Sequence, residues 1–144
     1  MVSTVRMVRV LGGKDVFPHA PRDHDAIIAQ VRSGLPYSAL EAIAARFAIP
    51  REELLRILHV PLRTLARRKK ERRLRADESD RLLRLGRVAA LAEEALGSRG
   101  KAVAWLRKPN KALGGALPLD RLDTDLGTQQ VEHVLLRAAH GVYS

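Results

Sequence analysis

Between Asp23 and Gly141 apolar residues recur at helical spacing, and proline or glycine interrupts them at short intervals. No stretch after residue 20 alternates apolar and polar residues as a half-buried strand would. Short helices joined by tight turns are what such a chain can fold into. Composition agrees, because 46% of residues are apolar and only 3% aromatic, and Leu, Ala, Val and Ile make up most of the apolar part. Sandwiches and barrels accumulate Tyr, Phe and Trp, whereas packed helices tolerate their scarcity. The expected fold class is all-α, with a helix-turn-helix region followed by a small helical unit.

Individual helices follow from their punctuation. Asp23 is a suitable N-cap for a helix through residue 33, with Ile27, Ile28 and Val31 inward and Gly34 and Pro36 ending it. Ser38 and Glu41 have capping-box spacing ahead of Leu40, Ile43, Ala44, Phe47 and Ala48. Pro50 precedes Glu52 and Glu53 at the positive end of a helix to about Leu58, and His59-Val60-Pro61 makes the next turn. A helix then runs from Leu62 to about Arg73, with Leu62, Leu65 and Ala66 assigned to its inner side. Asp77 opens the longest helix, over residues 78–96, where Leu82, Leu85, Ala89, Ala92 and Leu96 form a seam. Gly86 inside that helix is unfavourable by roughly 1 kcal/mol against Ala and marks a close crossing. Residues 99–107 form a short helix ending in the single Trp, Pro118 starts a turn toward Leu122, and Val131, Val134, Leu135 and Ala138 stripe a last helix stopped by Gly141. Residues 1–21, with Gly12-Gly13 and two prolines, are expected to be a flexible arm with one short strand over 5–11.

Charge supplies a second constraint. The formal net charge is +10, and residues 63–75 carry eight basic side chains against one acid, Glu71. A field this concentrated calls for a polyanionic partner. On the helix after Pro61, Arg63, Arg67 and Lys70 share the outer face, with Thr64 and Arg68 adjoining. Arg can bond guanine edges in a major groove while Lys69, Arg72 and Arg73 hold phosphates. The candidate DNA-binding residues are therefore Arg63, Thr64, Arg67, Arg68, Lys69, Lys70, Arg72 and Arg73.

Several function classes have no support. The absence of cysteine removes disulfides and cysteine-ligated zinc. His19, His24, His59, His133 and His140 lack metal-ligand spacing, and no Walker loop, nucleophile elbow or GxGxxG occurs. No cofactor, no metal and no enzymatic activity are expected. The N-terminus lacks a signal-peptide core and nothing is apolar enough for a membrane span, so a cytoplasmic protein with no membrane partner is expected.

One family resemblance spans residues 54–141. It rests on ordered blocks: Arg63-Thr64-Leu65-Ala66-Arg67-Arg68, Glu78-Ser79-Asp80-Arg81-Leu82 with Arg84-Leu85, the run from Ala102 through Trp105, Pro109 and Asn110 to Gly114-Gly115, then Pro118-Leu119, Asp123-Thr124, Gly127, Val131, Leu135 and Gly141. Together they resemble the Xre/MbcA/ParS-type antitoxins of bacterial toxin–antitoxin pairs. The chain departs from the usual pattern twice: His59 stands where Gly is common in the turn, and Pro61 where a capping Ser is common. Beyond the arm over 1–21, the chain is expected to hold an Xre-like helix-turn-helix region over 22–75 and a toxin-binding domain over 76–144, as the resemblance implies. It also implies a homodimer that binds the operator of its own operon, and a cognate RES-domain toxin that degrades NAD, inhibited by occlusion of its pocket. Candidate toxin-binding residues are Trp105, Asn110, Leu113, Gly114, Arg137, His140, Gly141, Val142 and Tyr143. The alternative is a stand-alone helix-turn-helix regulator without a toxin.

Overall fold

The computed structural model describes residues 2–141, which form eight α-helices and three short 3-10 turns with no strand among them. The chain divides into two compact units, residues 1–87 and 88–144. The first holds α1 (Thr4–Val10), α2 (His24–Ser33), α3 (Tyr37–Phe47), α4 (Arg51–Leu58), α5 (Leu62–Glu71) and the start of α6 (Ala76–Leu96). The second holds the end of α6, then α7 (Arg99–Leu106) and α8 (Asp125–Ala139).

The N-terminal segment corrects the sequence reading. Residues expected to form a loose arm with a strand form α1, capped by the Ser3 hydroxyl, which accepts from the Arg6 amide at 3.2 Å. Thr4, Met7, Val8 and Leu11 are buried, and their spacing of three, four and seven places them on one helical side. Leu11 is fully buried and its side chain lies against Gly86 of α6, where a Cβ would sit 3.3 Å from it. The close approach expected at Gly86 is thus present, with a leucine as the neighbour.

Proline and glycine punctuate the rest of the first unit much as expected. Asp23 Oδ1 caps α2 by accepting from the Ala26 amide at 2.8 Å. Ile27 and Val31 face inward, but Ile28 is exposed. α3 begins at Tyr37 behind Pro36, so Ser38 does not cap it. The Tyr37 amide donates instead to the Arg72 carbonyl at 3.0 Å, and Leu74 N donates to the Leu35 carbonyl at 2.9 Å. This isolated antiparallel pairing of Pro36 with Arg73 ties the end of α5 to the α2–α3 link. The Ser79 hydroxyl, fully buried, accepts from the Leu35 amide at 2.7 Å and closes the same junction.

In the second unit the turn chemistry is dense. Ser98 caps α7, accepting from the Lys101 amide at 3.2 Å. Asn110 Oδ1 accepts from the Ala112 amide at 2.9 Å and starts a 3-10 turn, Lys111–Leu113. Gly114 and Gly115 follow at φ +66° and +87°, a reversal that an L side chain would strain. A second 3-10 turn, Pro118–Arg121, leads to Thr124, whose hydroxyl caps α8 by accepting from the Gly127 amide at 3.0 Å. Leu106, Leu113, Leu119, Leu122, Val131, Val134 and Leu135 are buried in this unit.

Candidate nucleic-acid interface and partner-binding unit

α4 and α5 are joined by His59-Val60-Pro61. His59 lies in the left-handed region at φ 55°, ψ 45°, Val60 is buried, and Pro61 precedes α5 with no side-chain cap. Backbone and side-chain hydrogen bonds hold the turn. The Val60 amide donates to the Leu55 carbonyl at 3.0 Å, and Arg81 Nη1 reaches from α6 to the Leu58 carbonyl at 3.1 Å while pairing with Asp77 at 3.5 Å. That guanidinium satisfies a carbonyl left orphaned at the end of α4, where positive charge is also favoured by the helix dipole.

α5 is inserted by only two buried side chains, Leu65 and Arg68. Arg68 is 7% exposed; its Nε donates to Glu78 Oε1 at 2.8 Å and its Nη1 to Glu71 Oε1 at 3.1 Å. The hydrogen bond to Glu78 is the main reason its pKa lies above the usual arginine value, against the opposing effect of burial. Glu78 Oε1 also accepts from the Arg75 amide at 2.8 Å, so one carboxylate both starts α6 and neutralises α5's inward cation. Arg68 is therefore removed from the candidate DNA contacts, because its guanidinium is committed inside the unit. Arg73 is exposed, yet its Nη1 donates to the Gly34 carbonyl at 2.7 Å and caps the end of α2. It too serves the fold first.

The other candidate residues differ in exposure. Arg63, Arg67, Lys69 and Lys70 are exposed on α5, Thr64 is half-buried, and Arg72 is exposed in a left-handed conformation at φ 64°. Leu62 and Ala66, assigned inward from the sequence, are both exposed, Leu62 at 52%. The true inner pair is Leu65 and Arg68, three residues apart. A second turn of the same kind, Ala48-Ile49-Pro50, joins α3 to α4, with Ala48 at φ 54°. The charge distinguishes the two: α4 opens on Glu52 and Glu53, whereas α5 has no acid in its first turn. Of the two helices, α5 carries the greater positive charge.

Candidate partner-binding residues of the second unit separate into two groups. Asn110 is 6% exposed and occupied by the turn it starts, and Leu113 is 4% exposed. Neither side chain is available to a partner, a correction to the sequence reading. Trp105 is half-buried and Gly114 exposed. Arg137, His140 and Gly141 are exposed at the end of α8, and His133, Leu136, Arg137 and His140 line one shallow depression there. Val142 and Tyr143 lie outside the described residues.

The sequence reading missed Arg121. Its Nη2 donates to the Leu113 carbonyl at 2.9 Å and its Nη1 to Gln130 Oε1 at 3.0 Å, clamping the first 3-10 turn to α8. Among the described residues no group of His, Cys, Asp and Glu could hold a metal ion, and no helix is long and apolar enough to cross a membrane.

Two family models match the chain. Residues 26–87 match the antitoxin Xre-like helix-turn-helix domain, and residues 91–141 match the antitoxin Xre/MbcA/ParS C-terminal toxin-binding domain. The chain is 32% identical over 120 residues to a Yersinia enterocolitica protein named antitoxin Xre, covering 82% of this chain and 81% of the relative. The chain belongs to the Xre family of antitoxins. An antitoxin Xre of Pseudomonas putida is 46% identical over 83 residues, a match that covers 57% of this chain but only 52% of that relative. A Sphingobium protein named Prs ADP-ribosylating antitoxin is 24% identical over 127 residues, covering 81% of this chain and 80% of its own. The Xre family is one of antitoxins and not of enzymes, and the residues matched to the helix-turn-helix domain fall in the first compact unit and those matched to the toxin-binding domain in the second.

Proposed function

We propose that this chain is the antitoxin of a type II toxin–antitoxin pair: it inhibits a RES-type, NAD-degrading toxin by covering its active site, and as a cytoplasmic homodimer it represses its own operon. The observation that carries the proposal is the pairing of an exposed cationic helix, α5, with a separate unit that matches a toxin-binding domain. An NAD-consuming toxin is also in keeping with the name of the Sphingobium relative, since ADP-ribosylation draws its donor group from NAD. On this proposal the end of α8, with Arg137 and His140, enters or caps the nucleotide pocket. A guanidinium there can occupy the place of a substrate contact or pair with a catalytic carboxylate.

The experiment is expression of the neighbouring reading frame's product with and without this chain. Alone, that product should arrest growth and lower cellular NAD, and the intact chain should reverse both. Persistent arrest in the presence of the chain, or arrest with unchanged NAD, would overturn the toxin part.

The operator part carries its own expected result. If Arg63, Arg67, Lys69, Lys70 and Arg72 each displace a counterion, log affinity should fall against log salt with a slope of about −4 to −5 per bound subunit. Arg67→Ala should flatten that slope by about one contact and weaken every duplex alike. Titrations of labelled operator duplex at several salt concentrations measure it, and a flat profile would remove α5 from the phosphates.

A further inference from the structure

Leu62 is the one large apolar side chain that α5 presents to solvent. It occupies the helix's first position, the end that reaches base edges when a recognition helix enters a major groove. Residues four apart stack in rows on a helix surface. One exposed row is Leu62, Ala66 and Lys70; the row beside it begins with Arg63 and Arg67. The Leu62 row borders the buried pair Leu65 and Arg68, and the Arg63 row lies opposite that pair. An apolar pair, Leu62 and Ala66, is thus laid alongside cationic side chains on the same surface.

A single exposed leucine is ordinary on a protein surface. Here its neighbours choose the occupant. A protein partner would have to offer an apolar pocket surrounded by acids, whereas a duplex offers a dense polyanion whose major groove contains one apolar feature, the thymine C5-methyl. We infer that Leu62, flanked by Ala66, is a specificity-determining residue that covers thymine methyls in the major groove, beside a guanine engaged by Arg63 or Arg67. This rests on the proposal that α5 binds DNA. Cytosine in the same place would present its N4 amine, a donor that leucine strips of water without replacing the bond. The site read by this chain should therefore join guanine to thymine, with thymine preferred over cytosine.

The test uses the full chain and a duplex library with a randomised centre. Recovered sequences are resynthesised with deoxyuridine in place of single thymines, which removes only the methyl. At one or two positions the replacement should weaken binding about fourfold, the worth of one covered methyl. Leu62→Ala should bind the thymine and uracil duplexes equally, and Leu62→Asn should lose the thymine preference at those positions. Because Leu62 is exposed, neither variant should change thermal unfolding. Salt-sensitive binding with every uracil replacement silent, or an undiminished uracil effect in Leu62→Ala, would overturn the inference alone. A library that the chain fails to bind at low salt would overturn the DNA-binding proposal with it. Silent uracil replacements with a lower oligomeric mass for Leu62→Ala in light scattering would assign the leucine to a protein contact instead.

Discussion

Glu78→Ala should destabilise the unit formed by residues 1–87 by about 3–5 kcal/mol, the usual consequence of removing one partner from a buried ion pair. The carboxylate and the Arg68 guanidinium are 6% and 8% exposed as side chains, so solvent screens them little. Without Glu78, Arg68 retains only Glu71, whose side chain is 47% exposed and therefore a weaker partner. The Arg75 amide at the start of α6 loses its acceptor at the same time. Arg68→Met combined with Glu78→Met should recover much of that loss, because the pair's attraction and its desolvation largely offset one another once both charges are removed. Urea unfolding followed by circular dichroism measures both variants. A loss below about 1 kcal/mol for Glu78→Ala would mean a solvated pair and would restore Arg68 as a groove contact.

The double variant also separates structure from recognition. Since Arg68 faces inward, its removal should leave the salt slope of duplex binding unchanged, while Arg67→Ala flattens it. Adjacent arginines in one basic run would then have opposite roles. The run's composition conceals this difference, because charge alone does not say which position of a helix turns inward.

Legibility in the sequence follows the same physics. The turns at Pro50 and Pro61 were readable because proline is tolerated only at a helix's start, and His59 was placed correctly in the left-handed turn. The Asn110, Gly114 and Thr124 turns were readable because each residue acts on its immediate neighbours. What escaped was tertiary. The α3 N-terminus was assigned a local cap at Ser38, yet its Tyr37 amide is satisfied by the Arg72 carbonyl, a partner no local pattern announces. Gly12-Gly13 and two prolines suggest a flexible arm with a short strand over 5–11, although Thr4, Met7, Val8 and Leu11 carry helical spacing. Leu62 was placed inward because it is apolar, and Arg68 outward because it is charged. The helix inverts both, and Glu71, three residues after Arg68, was the available signal that the guanidinium has a partner.

Gly127→Ala should destabilise the second unit by about 2–5 kcal/mol, although alanine is the better helix former by roughly 1 kcal/mol. The reason is backbone crowding in the first turn of α8. A Cβ at residue 127 would overlap the Arg121 carbonyl oxygen and would come within 2.8 Å of Thr124 Oγ1. The carbonyl belongs to the Pro118–Arg121 turn, so its retreat would shift that turn's backbone, and the hydroxyl caps the helix through the Gly127 amide, a bond its retreat would break. Arg121 itself is clamped to Leu113 and Gln130, which extends the disturbance to the turn that Asn110 starts. Gly100→Ala in α7 is the internal comparison: nothing lies within 4 Å of its added Cβ, and the variant should be stabilised by up to about 1 kcal/mol. The same glycine-to-alanine change should therefore have opposite signs at two helical positions of one unit, measured by chemical denaturation. Gly127→Ala should also cost protection against the toxin while salt-sensitive duplex binding through α5 persists. Equal stability for the two variants would mean that the Arg121 carbonyl moves aside freely, and that α8 is not held by its entry turn.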